Sequence, residues 1–322
     1  MSWQRVPVLV TGAAGFIGSH LVRRLVSAGA AVNVLLKNDV SRWRLKDLLD
    51  QLTVWESDIT DLASLQNIFS NFQPLVVFHL AAHVDVTRSW DLVSPLVQHN
   101  IIGTINLLTA LKDTKFTSFV YTGSSEEYGT MPPPLKETQR EAPISPYSFS
   151  KLSGTLFCQM AARTFDLPVT VLRLFPTYGP SQEGAMFIPS AIRELLIRRE
   201  FHMTSGEQRR DFIYVDDVVE AFLRIALCKK APGAVFNVGS GGPYKIADVI
   251  DIITNHIGGD LRVVRRAVPC RKGEGPACYC DNRKLREFTG WAPRVSLEEG
   301  LRRTIAWYRQ YYAGEHGSLS PE

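Results

Sequence analysis

The stretch "VLVTGAAGFIGSHLV", residues 8–22, joins an apolar, β-branched run to a helical pattern through three closely spaced glycines. Because glycine carries no Cβ atom, such a loop lets a ligand approach the backbone at the positive N-terminus of the helix that follows. A glycine triplet alone is a weak signal, but this one follows a strand, precedes an apolar helix and begins a series of alternating elements. The stretch predicts a dinucleotide-binding loop made of Gly12, Gly15, Phe16, Ile17 and Gly18.

Short β-branched runs recur after this stretch and alternate with helical patterns. Strands are expected at residues 6–11, 31–36, 52–55, 75–81, 118–122 and 169–175. Strands that alternate with helices need crossover connections, so the pattern predicts an α/β fold with a doubly wound parallel sheet, whose ligands bind beyond the carboxyl ends of the strands. We expect a Rossmann domain over residues 1–178, with returning segments near 212–239, and a smaller C-terminal substrate-binding lobe over 179–322.

Composition narrows the class of protein. The 322 residues are 45% hydrophobic and 21% charged, which is typical of a globular chain, and the scattered Lys and Arg with a net charge of only +4 argue against a nucleic-acid partner. The five cysteines form no even framework and no C-x-x-C motif, so we read Cys270, Cys278 and Cys280 as ordinary thiols and expect no metal. The chain has no signal-peptide pattern and no run long enough to span a bilayer. We therefore expect a cytoplasmic protein with no membrane partner.

The second strand bears on the type of dinucleotide. An NAD site would place an acidic residue near the tip of this strand, but the strand ends in two leucines and Lys37. The loop that follows adds Arg42 and Arg44, and charge-assisted contacts with a 2′-phosphate would contribute about 1.5–3 kcal/mol each. This basic loop favours NADP(H). The alternative is a solvated loop in which Asp39 serves NAD(H).

A proton-transfer group is predicted at the fifth strand and the helix after it. The stretch "SPYSFSK", residues 145–151, places Tyr147 and Lys151 four positions apart, on one face of a helix. An ammonium in this position can lower the pKa of the phenol and hydrogen-bond a nicotinamide ribose. Ser124 lies at the end of the fifth strand, at the same edge of the sheet. Together with the glycine loop, the three residues form a proton-transfer constellation beside a hydride acceptor.

Across nearly its whole length the chain resembles the extended short-chain dehydrogenase/reductases that act on nucleotide sugars. The motifs that carry the resemblance are "TGAAGFIG", "HLAA", "GSSEEYG", Tyr147 with Lys151, "RLFPTYGP", "GEQRRDFIYVDD", "FNVGSG" and "GWAPRVSLEEGLRRTIAWY". The resemblance implies a nucleoside-diphosphate sugar as substrate and a homodimer.

The same resemblance implies roles for single residues. Ser124 would polarise the substrate oxygen, Tyr147 would be the acid/base, and Lys151 would tune Tyr147 and bind ribose. Cofactor contacts would come from Asp58 and Ile59 at the adenine, and from Leu80, Ala81 and Ala82 at the pyrophosphate and ribose. Arg210 would hold the substrate diphosphate. His83 and Arg88 lie where the sugar-facing loop of the family runs, although His83 is equally well explained as a structural hydrogen-bond partner.

The acidic pair after Ser124 decides the expected reaction. Glu126 stands where family dehydratases, decarboxylases and some reductases carry Glu, and with Ser125 it would contact the sugar. Dehydratases of the dTDP-glucose type carry Asp at the position of Ser125. The motif "GSSEEYG" most closely resembles the corresponding motif of reductases that act on GDP-4-keto-6-deoxymannose. Our first reading is therefore an NADPH-dependent reductase of a nucleotide-linked 4-keto-6-deoxyhexose. The alternative is a 4-epimerase, a 4,6-dehydratase or a uronate decarboxylase. If the strand continues past Ser124, Glu127 points away from Glu126, toward solvent.

Overall fold

The computed structural model describes residues 2–183, 186–269 and 275–316. Its centre is a sheet of seven strands, all parallel, in the order β11-β6-β5-β4-β1-β2-β3. In chain order, the strands are β1 (Pro7–Thr11), β2 (Ala31–Leu36), β3 (Thr53–Glu56), β4 (Val76–His79), β5 (Ser118–Ser124), β6 (Val169–Leu174), β7 (Thr177–Tyr178), β8 (Glu200–His202), β9 (Arg209–Arg210), β10 (Ile213–Tyr214), β11 (Val235–Val238), β12 (Tyr244–Lys245), β13 (Arg262–Val264) and β14 (Ala277–Cys278).

Helices connect the strands and cover the sheet. They are α1 (Phe16–Ser27), α2 (Leu62–Asn71), α3 (Val93–Leu96), α4 (Gly103–Leu111), α5 (Pro146–Phe165), α6 (Phe187–Ile197), α7 (Val215–Ala226), α8 (Ile246–Ile257), α9 (Arg283–Thr289) and α10 (Leu297–His316). A π-helix at Val97–Ile102 runs directly into α4, and a short 3-10 helix, Ser125–Tyr128, follows β5.

Alternate residues of the central strands build two separate cores. Val8 and Val10 of β1 pack into a core shared with α1 and α7, whereas Leu9 between them packs with α2, α4 and α5. A strand that buries both faces must be apolar at every position, which explains why β1 reads as an unbroken apolar run. The predicted doubly wound parallel sheet is confirmed, and its six first strands lie within two residues of the expected bounds.

The C-terminal part of the chain has a core of its own. Helices α6, α8 and α10 pack together around residues such as Leu195, Ile250 and Leu301. Strand β11 lies inside the segment that was expected to return to the sheet, and it pairs with β6. The domain boundary at residue 178 stays a prediction.

The loop after β2 is attached to the last helix of the chain. The ring of Trp43 lies 6.3 Å from the ring of Trp307 and 5.8 Å from that of Tyr311, between ring centroids. The neighbouring Arg44 donates hydrogen bonds to the carbonyls of Ser181, at 2.9 Å, and Ala14, at 3.3 Å. The first and last parts of the chain therefore meet beside the glycine loop. None of the helices in the described ranges combines the length and the apolar character that a membrane crossing requires.

Candidate active site

The glycine loop brings the ends of β1 and β4 into contact. Gly12 has a φ of +68°, and a Cβ atom there would lie 2.6 Å from the backbone nitrogen of Ala81. A Cβ atom on Gly18 would lie 2.1 Å from the carbonyl oxygen of Gly12, so this position also excludes a side chain. Gly15 is the N-cap residue of α1, and the first turn, which begins with Phe16 and Ile17, contains no acidic residue. The loop therefore presents bare backbone and a positive helix end to the carboxyl edge of the sheet.

The residues expected to contact the rest of the cofactor lie at the same edge. Asp58 and Ile59 follow β3, and the side chain of Ile59 fills the space that a Cβ atom on Gly103 would occupy, 2.5 Å away. Leu80, Ala81 and Ala82 follow β4, and the Ala81 amide donates to the Thr11 hydroxyl over 3.1 Å. These residues and the glycine loop fit an extended dinucleotide laid across the strand ends.

The basic residues of the loop after β2 are already bound within the chain. Lys37 Nζ lies 2.9 Å from Asp58 Oδ2, and this hydrogen bond raises the pKa of Lys37. Arg42 forms an ion pair with Glu56, and Arg44 forms one with Glu183 at 3.0 Å. A 2′-phosphate would therefore meet cations that carboxylates neutralise.

Helix α5 holds Tyr147 and Lys151 one turn apart. Ser145 caps the start of this helix: its hydroxyl accepts from the Ser148 amide, while the Ser148 hydroxyl accepts from the Ser145 amide. Tyr147 is 9% exposed and Lys151 is 3% exposed. The Ser124 side chain lies close enough to the Tyr147 phenol to lower its pKa, and Lys151 Nζ lies 4.6 Å from the ring centroid of Tyr121. The three residues predicted to act together are thus adjacent.

Burial dominates the electrostatics of this group. It raises the pKa of Tyr147; the hydrogen bond with Ser124 opposes that shift, and the charges of Glu126 and Glu127 add to it. Burial also lowers the pKa of Lys151 to about 8, against the charge of Glu127. The expectation that the Tyr147 pKa is lowered is wrong for this arrangement, because the cost of burying a phenolate exceeds the stabilisation from its neighbours. The phenol is protonated at neutral pH.

Glu127 does not point toward solvent, as expected from strand alternation, but is completely buried. The strand ends at Ser124, and the chain turns into the 3-10 helix, so the two-residue alternation stops there. Glu127 Oε1 accepts from the Ser124 amide over 2.7 Å, and Oε2 accepts from Arg173 Nε over 2.7 Å. Glu126, in contrast, is exposed at the edge of the site.

Three of the residues expected to contact substrate lie near strands β9 and β14. Arg210 lies in β9, opposite Cys278 of β14, and its Nη2 donates to the Gly275 carbonyl over 3.1 Å. The side chain of Ser125 and the charges of Arg210 and Glu126 all influence the pKa of the Cys278 thiol. Burial raises the pKa of this thiol to about 12, so it is neutral. Ser125, Glu126 and Arg210 therefore surround one space with Cys278, which sequence reasoning treated only as an ordinary thiol.

No group of three or more potential metal ligands occurs in the described parts of the chain. Cys270, the third cysteine considered for a metal site, lies outside the described residues.

Asn100 of the π-helix is a buried residue that sequence reasoning missed. Its amide nitrogen donates to Ser150 Oγ over 2.9 Å and to the His83 carbonyl over 3.0 Å, and its oxygen accepts from the His83 amide over 2.8 Å. Ser150 Oγ in turn donates to the Tyr147 carbonyl over 2.8 Å. A single Asn in a helical pattern carries no signal that distinguishes it.

The backbone of His83 has a structural role, because it pairs with Asn100. The ring of His83 stacks on that of His99, and Arg88 is exposed.

A buried histidine connects Asn100 with the glycine loop. His79 Nδ1 lies 2.7 Å from the Thr11 hydroxyl, and Nε2 lies 3.0 Å from the Thr104 hydroxyl. Because the Thr104 hydroxyl gives its only proton to the Asn100 carbonyl, it must accept from His79 Nε2. Nε2 therefore carries the proton, and the Thr11 hydroxyl donates to Nδ1. Burial lowers the pKa of His79 to about 3, so this neutral tautomer persists at neutral pH.

Comparisons with known proteins agree with this geometry. A family model described as GDP-mannose 4,6 dehydratase matches residues 9–304. The UDP-glucose 4-epimerase of Mycolicibacterium smegmatis is 34% identical, over 94% of this chain and 98% of that protein. The dTDP-glucose 4,6-dehydratase 1 of Escherichia coli is 32% identical, over 94% of this chain and 92% of that protein.

Solved structures give the same result. The UDP-glucose 4-epimerase of Thermotoga maritima, solved with UDP-glucose, superimposes with a TM-score of 0.88 at 35% identity, over 94% of this chain and 99% of that one. The UDP-glucuronic acid 4-epimerase of Bacillus cereus, solved with UDP-glucuronic acid and NAD, has a TM-score of 0.85 at 29% identity, over 95% and 99% of the two chains. The chain therefore belongs to the extended short-chain dehydrogenase/reductase family of nucleotide-sugar epimerases and dehydratases, and it is an enzyme of that family.

Proposed function

We propose that this enzyme is a 4-epimerase of a nucleoside-diphosphate hexose or hexuronate, with UDP-linked sugars as the first substrates to test. The observation that carries the proposal is the placement of Ser124 next to Tyr147, one helical turn from Lys151 and at the same sheet edge as the glycine loop. This arrangement occurs in a chain that is similar to 4-epimerases over 94% of its length.

The relatives described above also bear on our first reading of a 4-keto-6-deoxyhexose reductase. They are epimerases and a dehydratase, so they support the alternative drawn from the sequence better than the reductase. An epimerase consumes no reductant, because the hydrogen that leaves C4 of the sugar returns to the opposite face of the same carbon.

The bound nicotinamide would supply the acceptor and the donor of that hydride. Tyr147 would exchange the proton of the 4-hydroxyl, and Ser124 would hold the same oxygen through a second hydrogen bond. The buried phenol is already in the form that returns a proton. For the opposite direction the phenol must first lose its proton, and the Lys151 ammonium one turn away supplies the positive charge that opposes the cost of a buried phenolate.

The substrate would lie between the sheet edge and the C-terminal lobe. We assign Arg210 to the diphosphate, because a guanidinium matches phosphate oxygens in geometry and charge. Ser125 and Glu126 would face the sugar, since both surround the same space as Arg210. Residues 179–322 would then be the main substrate-binding lobe.

NAD is the cofactor we propose, in place of NADP. The basic groups expected to bind a 2′-phosphate are paired with Asp58, Glu56 and Glu183. A phosphate next to these carboxylates would be repelled unless the ion pairs broke. The B. cereus 4-epimerase, solved with NAD, supports the same choice. The groups that would hold NAD are the glycine loop and the backbone after β3 and β4.

A 4,6-dehydratase is the second candidate, and Glu126 is the observation that favours it. This carboxylate is exposed at the site, and its charge acts on Tyr147. A carboxylate near sugar C5 could remove the C5 proton after oxidation at C4, so that water leaves from C6.

We also propose a homodimer formed through α5. The outer side of this helix exposes Phe149 (48%), Leu156 (51%) and Met160 (39%), which lie on one stripe. We propose that a second copy of α5 covers this stripe. The resemblance to the family leads us to expect pairing through the helix that carries Tyr147.

The first prediction concerns Tyr147→Phe. Incubation with catalytic NAD+ and UDP-glucose, UDP-glucuronate, dTDP-glucose and GDP-mannose, followed by NMR of the products, should give the C4 epimer of one substrate with the wild type. The variant should turn over about a hundredfold to ten-thousandfold more slowly, because the proton donor is lost. Binding of NAD+, measured by calorimetry, should stay within about twofold. Tyr311→Phe, the same loss of a phenolic hydroxyl on helix α10, is the control, and near wild-type turnover in Tyr147→Phe would sink the assignment.

The second prediction separates the two candidate reactions. Glu126→Gln should reduce epimerisation by less than about tenfold, because exchange at C4 needs no base at C5. If the enzyme is a dehydratase, the same change should abolish the 4-keto product, which is followed by its absorbance in alkali. A wild type that accumulates 4-keto-6-deoxy sugar would favour the second candidate over our proposal.

The third prediction concerns cofactor choice. The wild type should bind NAD+ at least about tenfold more tightly than NADP+, because the cations near the 2′ position are neutralised. The double variant Glu56→Gln/Asp58→Asn releases Arg42 and Lys37 and should narrow or reverse that preference. Calorimetric titration with both nucleotides measures it. Tighter binding of NADP+ by the wild type would restore the sequence-based expectation.

The fourth prediction concerns assembly. Light scattering after gel filtration should give the mass of a dimer for the wild type. Leu156→Glu should yield a monomer, because it places a charge in the centre of an apolar interface. Val268→Glu, at a similarly exposed apolar position outside α5, should remain dimeric. A monomeric wild type would contradict the proposed assembly.

A further inference from the structure

A buried ion pair between Glu127 and Arg173 contacts the backbone of Ser124, next to Tyr147. Glu127 and Arg173 are both completely inaccessible, and Glu127 Oε2 accepts from Arg173 Nε over 2.7 Å. Arg173 also pairs with Glu141, and its guanidinium lies 4.7 Å from the ring centroid of Tyr128. The carboxylate of Glu127 is thus held rigidly from one side.

The chain is shaped to accept this carboxylate. A Cβ atom on Gly123 would lie 2.7 Å from Glu127 Oε1, so the glycine leaves the space that the carboxylate occupies. The same oxygen accepts from the Ser124 amide over 2.7 Å. This bond fixes the last residue of β5, where the backbone changes from strand to 3-10 helix, and with it the position of the Ser124 hydroxyl.

Stability alone does not explain the pair. Removing two charges from water costs free energy that their attraction recovers only in part, and apolar residues of similar volume are often as stable or more stable. A buried carboxylate that also contacts Ser124 therefore points to a role in the site itself.

Glu127 also lies near Lys151, because the 3-10 helix that carries Glu127 packs against α5. The groups that change the pKa of Lys151 are Glu127 and Cys158, and burial keeps the Cys158 thiol neutral by raising its pKa. On the sheet side, the Tyr121 phenol and His79 are neutral as well, because burial raises the pKa of the first and lowers that of the second.

The remaining titratable groups on segments packed against α5 are elsewhere. Asp91 and Glu126 are exposed and His99 is partly buried, and none of the three is among the groups that shift the Lys151 pKa. The Tyr128 phenol is neutral, because burial raises its pKa to about 12. Arg173 of β6 acts on Glu127 directly, and Tyr147 is protonated. Among the groups that act on Lys151, Glu127 is therefore the negative charge.

We propose that Glu127 is a positioning residue of this active site: held by Arg173, its carboxylate orients Ser124 and supplies the buried counter-charge of the Lys151 ammonium. Only the expected effect of Glu127 on turnover rests on the proposed function. The expected effect of Glu127 on Lys151 does not depend on which reaction the enzyme catalyses.

The test is the titration of Lys151 in Glu127→Gln. Without the carboxylate, the ammonium loses its opposing charge, so the pKa of Lys151 should fall by about one unit below that of the wild type. As pH rises, Lys151 of the variant therefore loses its proton at a lower pH than Lys151 of the wild type. The Cε signal of Lys151 in protein labelled with 13C-lysine, assigned with Lys151→Met, reports this midpoint without catalysis.

Turnover gives the second readout. The basic limb of the kcat profile in Glu127→Gln should move to lower pH by the same amount, with KM changed less than kcat. Glu127→Asp keeps the charge but is one methylene shorter, so it should retain the wild-type midpoint of Lys151 while lowering kcat about tenfold or more through Ser124.

Glu141→Gln is the matched control, because it removes the other carboxylate from Arg173 without contacting Ser124. It should leave the Lys151 midpoint unchanged. If Glu127→Gln does not fold, Glu127→Gln/Arg173→Gln removes both charges together and should show a smaller downward shift, because the loss of the guanidinium partly offsets the loss of the carboxylate. An unchanged Lys151 midpoint in whichever variant folds would overturn the proposal, even if thermal stability falls. A shifted midpoint in a protein that has no epimerase activity would leave this inference standing and reject the proposed function alone.

Discussion

The rest of the site depends on a hydrogen-bond chain that crosses the carboxyl edge of the sheet from Thr11 through His79 and Thr104 to Asn100, and from there to helix α5. Buried polar groups must be paired, and in this chain every donor finds one acceptor only if His79 is neutral and protonated at Nε2. Asn100, within the π-helix, binds both the loop after β4 and helix α5. The glycine loop and the Tyr147 phenol are therefore positioned as one unit, although they lie far apart in the sequence.

The burial that fixes these side chains also determines their chemistry. Removing Tyr147 and Lys151 from water favours the neutral form of each, so the phenol holds its proton more tightly and the ammonium holds its proton less tightly. The largest influence opposing each of these two shifts comes from one short segment: the Ser124 hydroxyl acts on the phenol, and the Glu127 carboxylate acts on the ammonium. A change in the turn at the end of β5 would consequently disturb both groups at once.

Patterns that repeat along the chain were predictable, and single contacts between distant segments were not. The strands, the glycine loop and the spacing of Tyr147 and Lys151 follow from local periodicity and from the absence of side chains at Gly12 and Gly18, so they were found correctly. The burial of Glu127 was missed because it depends on where β5 stops, and strand ends are poorly marked in a sequence. An arginine within the apolar strand β6 was a usable signal that a buried acid had to face it. The pairing of the basic loop with its carboxylates involves residues from separate strands and loops, which no local pattern reveals.

The stacking of Trp43 on Trp307 joins a segment near the beginning of the chain to its last helix. A ribosome releases these segments in order, so the first strands and the glycine loop can form long before their aromatic partner has been synthesised. Until α10 docks, the edge that surrounds Arg44 and the glycine loop lacks one of its walls. Completion of the cofactor-binding edge is therefore a late event in biosynthesis, and a nascent chain arrested before α10 would contain the whole central sheet but an unfinished nucleotide cleft.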